Sequence, residues 1–151
     1  MTDPIYVAVV GTGEATPAVE VEAEAVGRLL AERGVVVVCG GLGGVMAAAC
    51  RGAKAAGGVT VGILPGADRR GANHWVDVSV ATGMGEARNA VVVRTADAVL
   101  AVAGGYGTLS EIALALRMGR PVVTLGSWDI EGAHGAEDPH DAVEKVLDAL
   151  A

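Results

Sequence analysis

Three glycine-rich segments hold most of the residues of this chain whose types and spacing can do chemistry. They are Gly11-Thr12-Gly13, Gly40-Gly41-Leu42-Gly43-Gly44 and Gly104-Gly105-Tyr106-Gly107-Thr108. Glycines let backbone N–H groups come close to an anion, and a segment that opens a helix adds the helix dipole. Thr108 adds a hydroxyl donor. Arg88 can clamp a phosphate or a carboxylate through two parallel N–H bonds. Asn89 beside it can hydrogen-bond either a ligand or a neighbouring loop. Glu111 follows Thr108 by three residues, a spacing with two readings. It fits a capping box, in which the glutamate bonds back to the cap. It equally fits a carboxylate on the same side of the first helical turn as the phosphate segment.

Other chemistries are poorly matched. Gly11-x-Gly13 opens like a dinucleotide fingerprint, but its sixth position is Thr16, and no acid follows Val38-Cys39-Gly40 to hold a ribose hydroxyl. Neither lysine, Lys54 or Lys145, stands in a GxxxxGK[ST] pattern, so a P-loop is as poorly matched as the dinucleotide fingerprint. Both fall in amphipathic helical stretches away from the glycine segments, which also argues against a Schiff-base enzyme. Cys39 and Cys50 are eleven apart, with no CxxC and no adjacent histidine, so they read as buried reduced thiols rather than a metal site or a disulfide framework. His74, His134 and His140 match no triad or metal spacing. Arg69-Arg70 either guides anions or lies on a solvated loop, and Trp128 either covers a ring system or packs in the core.

The elements that must position these residues alternate strictly. Apolar runs Ile5–Val10, Val35–Cys39, Val59–Leu64, Ala98–Val102 and Val122–Leu125 read as strands buried on both faces, and Trp75–Val80 as a shorter, more exposed one. Thr16-Pro17 starts a helix that Gly34 stops. Further helices are expected over Val45–Ala56, Glu86–Thr95, Thr108–Met118 (with Thr108 as cap) and Asp141–Leu150, with a loop over Gly126–Pro139. This is the pattern of a single α/β domain over 1–151, Rossmann-like, with one doubly wound parallel sheet flanked by helices. In such a sheet ligands bind beyond the carboxyl ends of the strands, where the three glycine segments fall.

Composition narrows the partners. Of 151 residues, 52% are hydrophobic and 19% charged, enough apolar material for a core. The net charge of −7 and only four aromatic residues argue against nucleic acid and anionic membranes as partners. No apolar run is long enough to span a bilayer, and the N-terminus lacks a basic n-region, so a cytoplasmic location is expected.

Two of the segments resemble a known family. Ala103-Gly-Gly-Tyr-Gly-Thr-Leu-Ser-Glu111 is similar to the PGGxGTxxE motif of the LOG-type (Lonely Guy) nucleotide phosphoribohydrolases, long misnamed lysine decarboxylases. Gly40-Gly-Leu-Gly-Gly-Val-Met46 resembles their other glycine-rich motif. Gly83-Met-Gly-Glu-Ala-Arg-Asn89, followed by Asp97, looks closer to a short branch that contains the molybdenum cofactor carrier proteins and relatives of the DNA-processing proteins. The chain departs from the LOG pattern at Ala103, where the motif has proline, and at Arg88, which sits in an EARN rather than an HxRK context. The resemblance implies a site for a phosphorylated small molecule, a nucleoside monophosphate or a pterin-like compound, without a further cofactor or a metal. The ligand and its phosphate are expected on Gly11, Thr12, Gly13, Gly40, Gly41, Gly43, Gly44, Asn89, Gly104, Gly105, Tyr106, Gly107 and Thr108, with the phosphate itself at Gly104–Thr108. The resemblance implies catalytic roles for Arg88 and Glu111 if the bound nucleotide is hydrolysed to free base and ribose 5-phosphate. The alternative is a non-catalytic carrier or sensor of a phosphorylated heterocycle. A homodimer or higher homo-oligomer is expected from the family's habit and the apolar composition.

Overall fold

In the computed structural model, which describes residues 3–151, β1 (Tyr6–Gly11) feeds two cores at once. Val7 and Val9 enter one and Ala8 and Val10 the other. A strand buried on both faces belongs at the centre of a parallel sheet covered by helices. The sheet continues with β2 (Val36–Cys39), β3 (Thr60–Leu64), β4 (Val78–Ala81), β5 (Ala98–Val102), β6 (Val122–Leu125) and β7 (His134–Ala136). All pairings are parallel, in the order β4-β3-β2-β1-β5-β6-β7. The helices α1 (Pro17–Glu32), α2 (Val45–Ala55) and α5 (Pro139–Leu150) share one core, and α3 (Arg88–Thr95) and α4 (Tyr106–Arg117) share the other. The doubly wound, Rossmann-like architecture read from the alternation of elements is therefore observed.

The chain leaves β1 toward β2 and later returns to the other side of β1 as β5. This reversal opens a crevice beyond Gly11 and Val102, the natural ligand position in such a sheet. At the opposite end, Asp97 Oδ2 accepts a hydrogen bond from the Tyr6 amide at 2.9 Å. Asp97 thus ties β5 to the start of β1, far from the crevice.

Several boundaries differ from expectation. Thr16 caps α1 as expected, accepting from the Val19 amide at 3.3 Å. The segment expected to be one helix from Glu86 begins as a 3₁₀ turn, Gly85–Ala87, and becomes α-helical at Arg88. Thr108 does not cap α4. The cap is Gly105, with no side-chain bond, and Thr108 is the third residue of the helix. Ala103 at φ 50° and Gly104 at φ 111° turn the chain so sharply that the helix starts before the threonine. The expected loop Gly126–Pro139 contains β7, whose His-Gly-Ala sequence has no strand propensity; it is held by pairing with β6 and by Ala136 against the core. Asp138 caps α5, accepting from the Asp141 amide at 2.8 Å, with Pro139 in the first helical turn.

Candidate functional site

A cavity of about 290 Å³ occupies the crevice at the switch in strand order. It lies at the lower end of the roughly 300–1,000 Å³ common for ligand sites. It is lined by Val10 and Gly11–Gly13 from the end of β1, Gly40 after β2, Met46 on α2, Arg88 and Asn89 on α3, and Gly105, Gly107, Thr108 and Glu111 around the start of α4. Eight-residue α3 and twelve-residue α4 therefore deliver every ionisable group in the wall.

The α4 end is built to leave donors free. With no side chain capping it, the first amides of the helix have no acceptor inside the helix. Two carbonyls of the preceding loop are occupied from outside. Ser127 Oγ donates to the Ala103 carbonyl at 2.6 Å, and Trp128 Nε1 donates to the Gly105 carbonyl at 3.0 Å. Bonded carbonyls of this kind are held away from an incoming anion, while the helix dipole favours it. Tyr106, 84% exposed, stacks on Trp128 with ring centroids 6.1 Å apart.

Arg88 is anchored before any ligand arrives. Its Nε donates to the Ile63 carbonyl at 3.0 Å, Nη2 donates to the Gly40 carbonyl at 3.5 Å, and Nη1 donates to Asn89 Oδ1. A guanidinium has five N–H groups, so two remain for an anion in the cavity. Asn89 Nδ2 in turn donates to Ser110 Oγ at 3.2 Å, and Ser110 donates to the Gly107 carbonyl at 2.7 Å. Asn89 thus fastens the arginine to the glycine turn of α4 and also lines the cavity.

Glu111 lies one helical turn beyond Thr108 and is 8% exposed. Burial raises its carboxyl to about 7, opposed by the charge of Arg88. No hydrogen bond holds it among the described residues, and no ion pair joins it to Arg88. The capping-box alternative fails here, because Thr108 is not the cap. What remains is a carboxyl group in the cavity wall, titrating near neutral pH without a structural partner.

The glycines separate into two kinds. A Cβ on Gly11 would lie 2.3 Å from the Val102 carbonyl, and one on Gly40 would lie 2.6 Å from Arg88 Nη2. One on Gly41 would lie 2.5 Å from Leu64, one on Gly44 2.3 Å from the Thr12 carbonyl, and one on Gly104 2.3 Å from Thr108 Oγ1. At Gly11, Gly41, Gly44 and Gly104 backbone contact or positive φ makes the fold itself require glycine, whereas at Gly40 the neighbours are the movable ends of Arg88 and Met46, so glycine there makes room for the anchored arginine. A Cβ on Gly13, Gly105 or Gly107, all in the cavity wall, would meet nothing within 4 Å. Gly41, Gly43, Gly44, Gly104 and Tyr106 do not line the cavity; they shape the loops that do. Val10, Ser110 and Ser127 carry no functional signal in the sequence, and Met46 enters there only as the last residue of the second glycine motif. Only the packing brings them to the site. Neither lysine reaches it: Lys54 pairs with Asp77 at 2.8 Å and Lys145 with Asp141 at 3.0 Å.

Ala103 is the single non-glycine residue with positive φ among those described. Its amide donates to the Leu125 carbonyl at 3.0 Å. Proline is fixed near φ −65° and has no N–H, so it fits neither feature. Ala103→Pro is expected to cost about 2 kcal/mol of stability. Ala103→Gly relieves left-handed strain of about 1 kcal/mol and loses a similar amount in chain entropy, so it should be near neutral. Urea unfolding of the two variants checks this, and an undiminished midpoint for Ala103→Pro overturns the φ argument.

The SLOG cluster4 family profile matches residues 4–149. An uncharacterized protein of Archaeoglobus fulgidus is 46% identical over 144 residues, 95% of either chain. A solved structure described as the molybdenum cofactor binding protein from the phototrophic bacterium Rippkaea orientalis is 35% identical, covers 100% of both chains and superposes with a TM-score of 0.94. A probable cytokinin riboside 5'-monophosphate phosphoribohydrolase of Oryza sativa is 35% identical over 96 residues, 62% of this chain and 39% of its own length.

Proposed function

The chain belongs to the SLOG cluster4 family, and on that premise we propose that its cavity binds a phosphorylated heterocyclic small molecule, phosphate inward against the start of α4. The observation that carries this is the set of wall glycines with nothing beside them. The fold does not need glycine at Gly13, Gly105 or Gly107, but a bound phosphate does. Free amides, two spare guanidinium donors and the helix dipole supply the charge complement. The small cavity leaves the heterocycle to extend past the mouth.

The test is a thermal-shift titration with adenosine 5'-monophosphate, inorganic phosphate and adenosine. A phosphorylated ligand at ten times its Kd should stabilise the fold by about 1.4 kcal/mol. No shift with either phosphate compound sinks the proposal. Gly107→Ala sharpens the test. A methyl group there has space in the empty protein and improves helix propensity, so stability should rise by about 0.5 kcal/mol. The same methyl crowds the phosphate and should weaken binding by about tenfold or more. Equal affinity in this variant would show that the glycine does not serve a ligand.

Two uses of such a site have separate support. Hydrolysis of a nucleoside 5'-monophosphate is supported by Glu111, which at neutral pH is partly protonated and can donate a proton to a leaving base. Glu111 and Arg88 are then the catalytic pair. Carriage of molybdenum cofactor, as cargo, is supported by the full-length likeness to the Rippkaea protein. Base release from adenosine 5'-monophosphate, followed by chromatography, decides between them. Nucleic acid has no place in this proposal, given the net charge of −7. The free thiols fit a reducing compartment, the cytoplasm. We also propose a homodimer, supported by exposed Val78 and Val80 on edge strand β4. Sedimentation of a 15.0 kDa species at micromolar concentration would refute it.

A further inference from the structure

Cys39 ends β2 and Cys50 sits in the middle of α2, and packing brings their Sγ atoms to 3.5 Å with both residues fully buried. The Gly41 amide donates to Cys39 Sγ at 3.3 Å. The bond from Cys50 lowers the Cys39 thiol from its usual value against the effect of burial, and the Gly41 amide and the charge of Arg88 lower it further. The same bond and burial push the Cys50 thiol up. Either sulfur can donate to the other, and the backbone donor at Gly41 falls to Cys39 alone, which makes Cys39 the better-placed nucleophile. Met46 shares one buried cluster with the two cysteines and also lines the cavity, as does Gly40 next to Cys39. A water-sized oxidant in the cavity is thus one side chain away from the pair.

We propose that Cys39 and Cys50 are a redox modification site, converted by a hydroperoxide into an intrachain disulfide. In the first step the Cys39 thiolate attacks one oxygen of hydrogen peroxide. The O–O bond breaks, Cys39 becomes a sulfenic acid, and the departing hydroxide takes the proton Cys39 gave up, forming water. In the second step Cys50 sulfur attacks Cys39 sulfur. The S–O bond breaks, the S–S bond forms, and the hydroxyl leaves with the Cys50 proton as a second water. The two sulfurs together lose two electrons and the peroxide gains them. Closing from the 3.5 Å contact to a disulfide bond requires an approach of about 1.5 Å. Buried thiols are ordinarily inert; mutual contact and the Gly41 amide set this pair apart. The cross-link would tie the residue before Gly40, whose carbonyl accepts from Arg88, directly to α2.

The experiment treats the reduced full-length protein with hydrogen peroxide, then denatures it, alkylates free thiols and weighs the intact chain. The expected result is a chain lighter by two hydrogen atoms with no alkylated cysteine, restored to two alkylated cysteines by a dithiol reductant. Met84, 48% exposed, serves as an internal gauge of oxidant dose. If both cysteines still alkylate at a dose that oxidises Met84, the proposal is overturned. It is equally overturned if the sulfurs take up oxygen separately without linking. Cys50→Ser should trap a sulfenic acid on Cys39 that a cyclic dione labels, and Cys39→Ser should not be labelled on Cys50. The wild-type mass measurement decides on its own if either variant does not fold.

Discussion

Glu111→Gln is expected to make the protein more stable at pH 8 while removing base release, if the wild type shows any. In the unfolded chain Glu111 ionises near its ordinary 4.5, whereas in the folded protein burial holds its proton until about 7. Between those values folding takes up a proton, so stability falls as pH rises through the window and is flat above it. A displacement of this size corresponds to about 3 kcal/mol lost between pH 4 and pH 8. Glutamine has the same shape and cannot ionise. The variant should match the wild type near pH 4 and exceed its stability by about 3 kcal/mol at pH 8, with a flatter profile between. A general acid is worth roughly a hundredfold or more in rate, so turnover should fall by that factor with ligand affinity nearly unchanged. Denaturant unfolding across pH measures the first effect and product analysis the second. A variant less stable than wild type at pH 8 would return Glu111 to a structural role.

A carboxyl group that costs the fold stability and has no partner is more readily understood as a working group than as a packing one. Its type and spacing were visible in the sequence, but its environment was not. The T-x-x-E spacing supports a cap as well as a site. Only the backbone of Ala103 and Gly104, which starts α4 before Thr108, removes the cap. The sheet was legible because buried parallel strands leave continuous apolar runs such as Val36–Cys39. His134–Ala136 was not, because an edge strand of three residues is held by its neighbour's hydrogen bonds rather than by its own side chains. Asp138-Pro139 carries a helix-start signal, and α5 begins there, two residues before the expected Asp141. The glycine segments were legible as a class but not individually. Gly11 is there for β5 and Gly107 for open space, and nothing in the sequence tells one from the other.

Gly27→Ala is expected to unfold the protein more readily than any site substitution, although alanine is the better helix former. Gly27 stands in the middle of α1 and Gly52 in α2, positions where glycine costs about 1 kcal/mol relative to alanine. A glycine kept at that cost points to close backbone approach. A Cβ on Gly27 would lie 1.9 Å from the Ala49 carbonyl oxygen, and one on Gly52 would lie 1.9 Å from the Glu24 carbonyl oxygen. The two helices touch backbone to backbone through this reciprocal pair, so a methyl group cannot be absorbed by rotating a side chain. The helices would have to part, and the parting reaches the wall residue Met46 on α2. Overpacking typically costs 1–3 kcal/mol; with backbone on both sides, a net loss of about 3 kcal/mol is expected for Gly27→Ala even after the gain in propensity. Gly52→Ala should cost a similar amount. The two losses should not add, because a crossing already forced open by one methyl accommodates the second at less cost. Urea midpoints of both single variants and the double variant measure this. Full additivity would mean that the two contacts are independent and that α1 and α2 do not move as one unit.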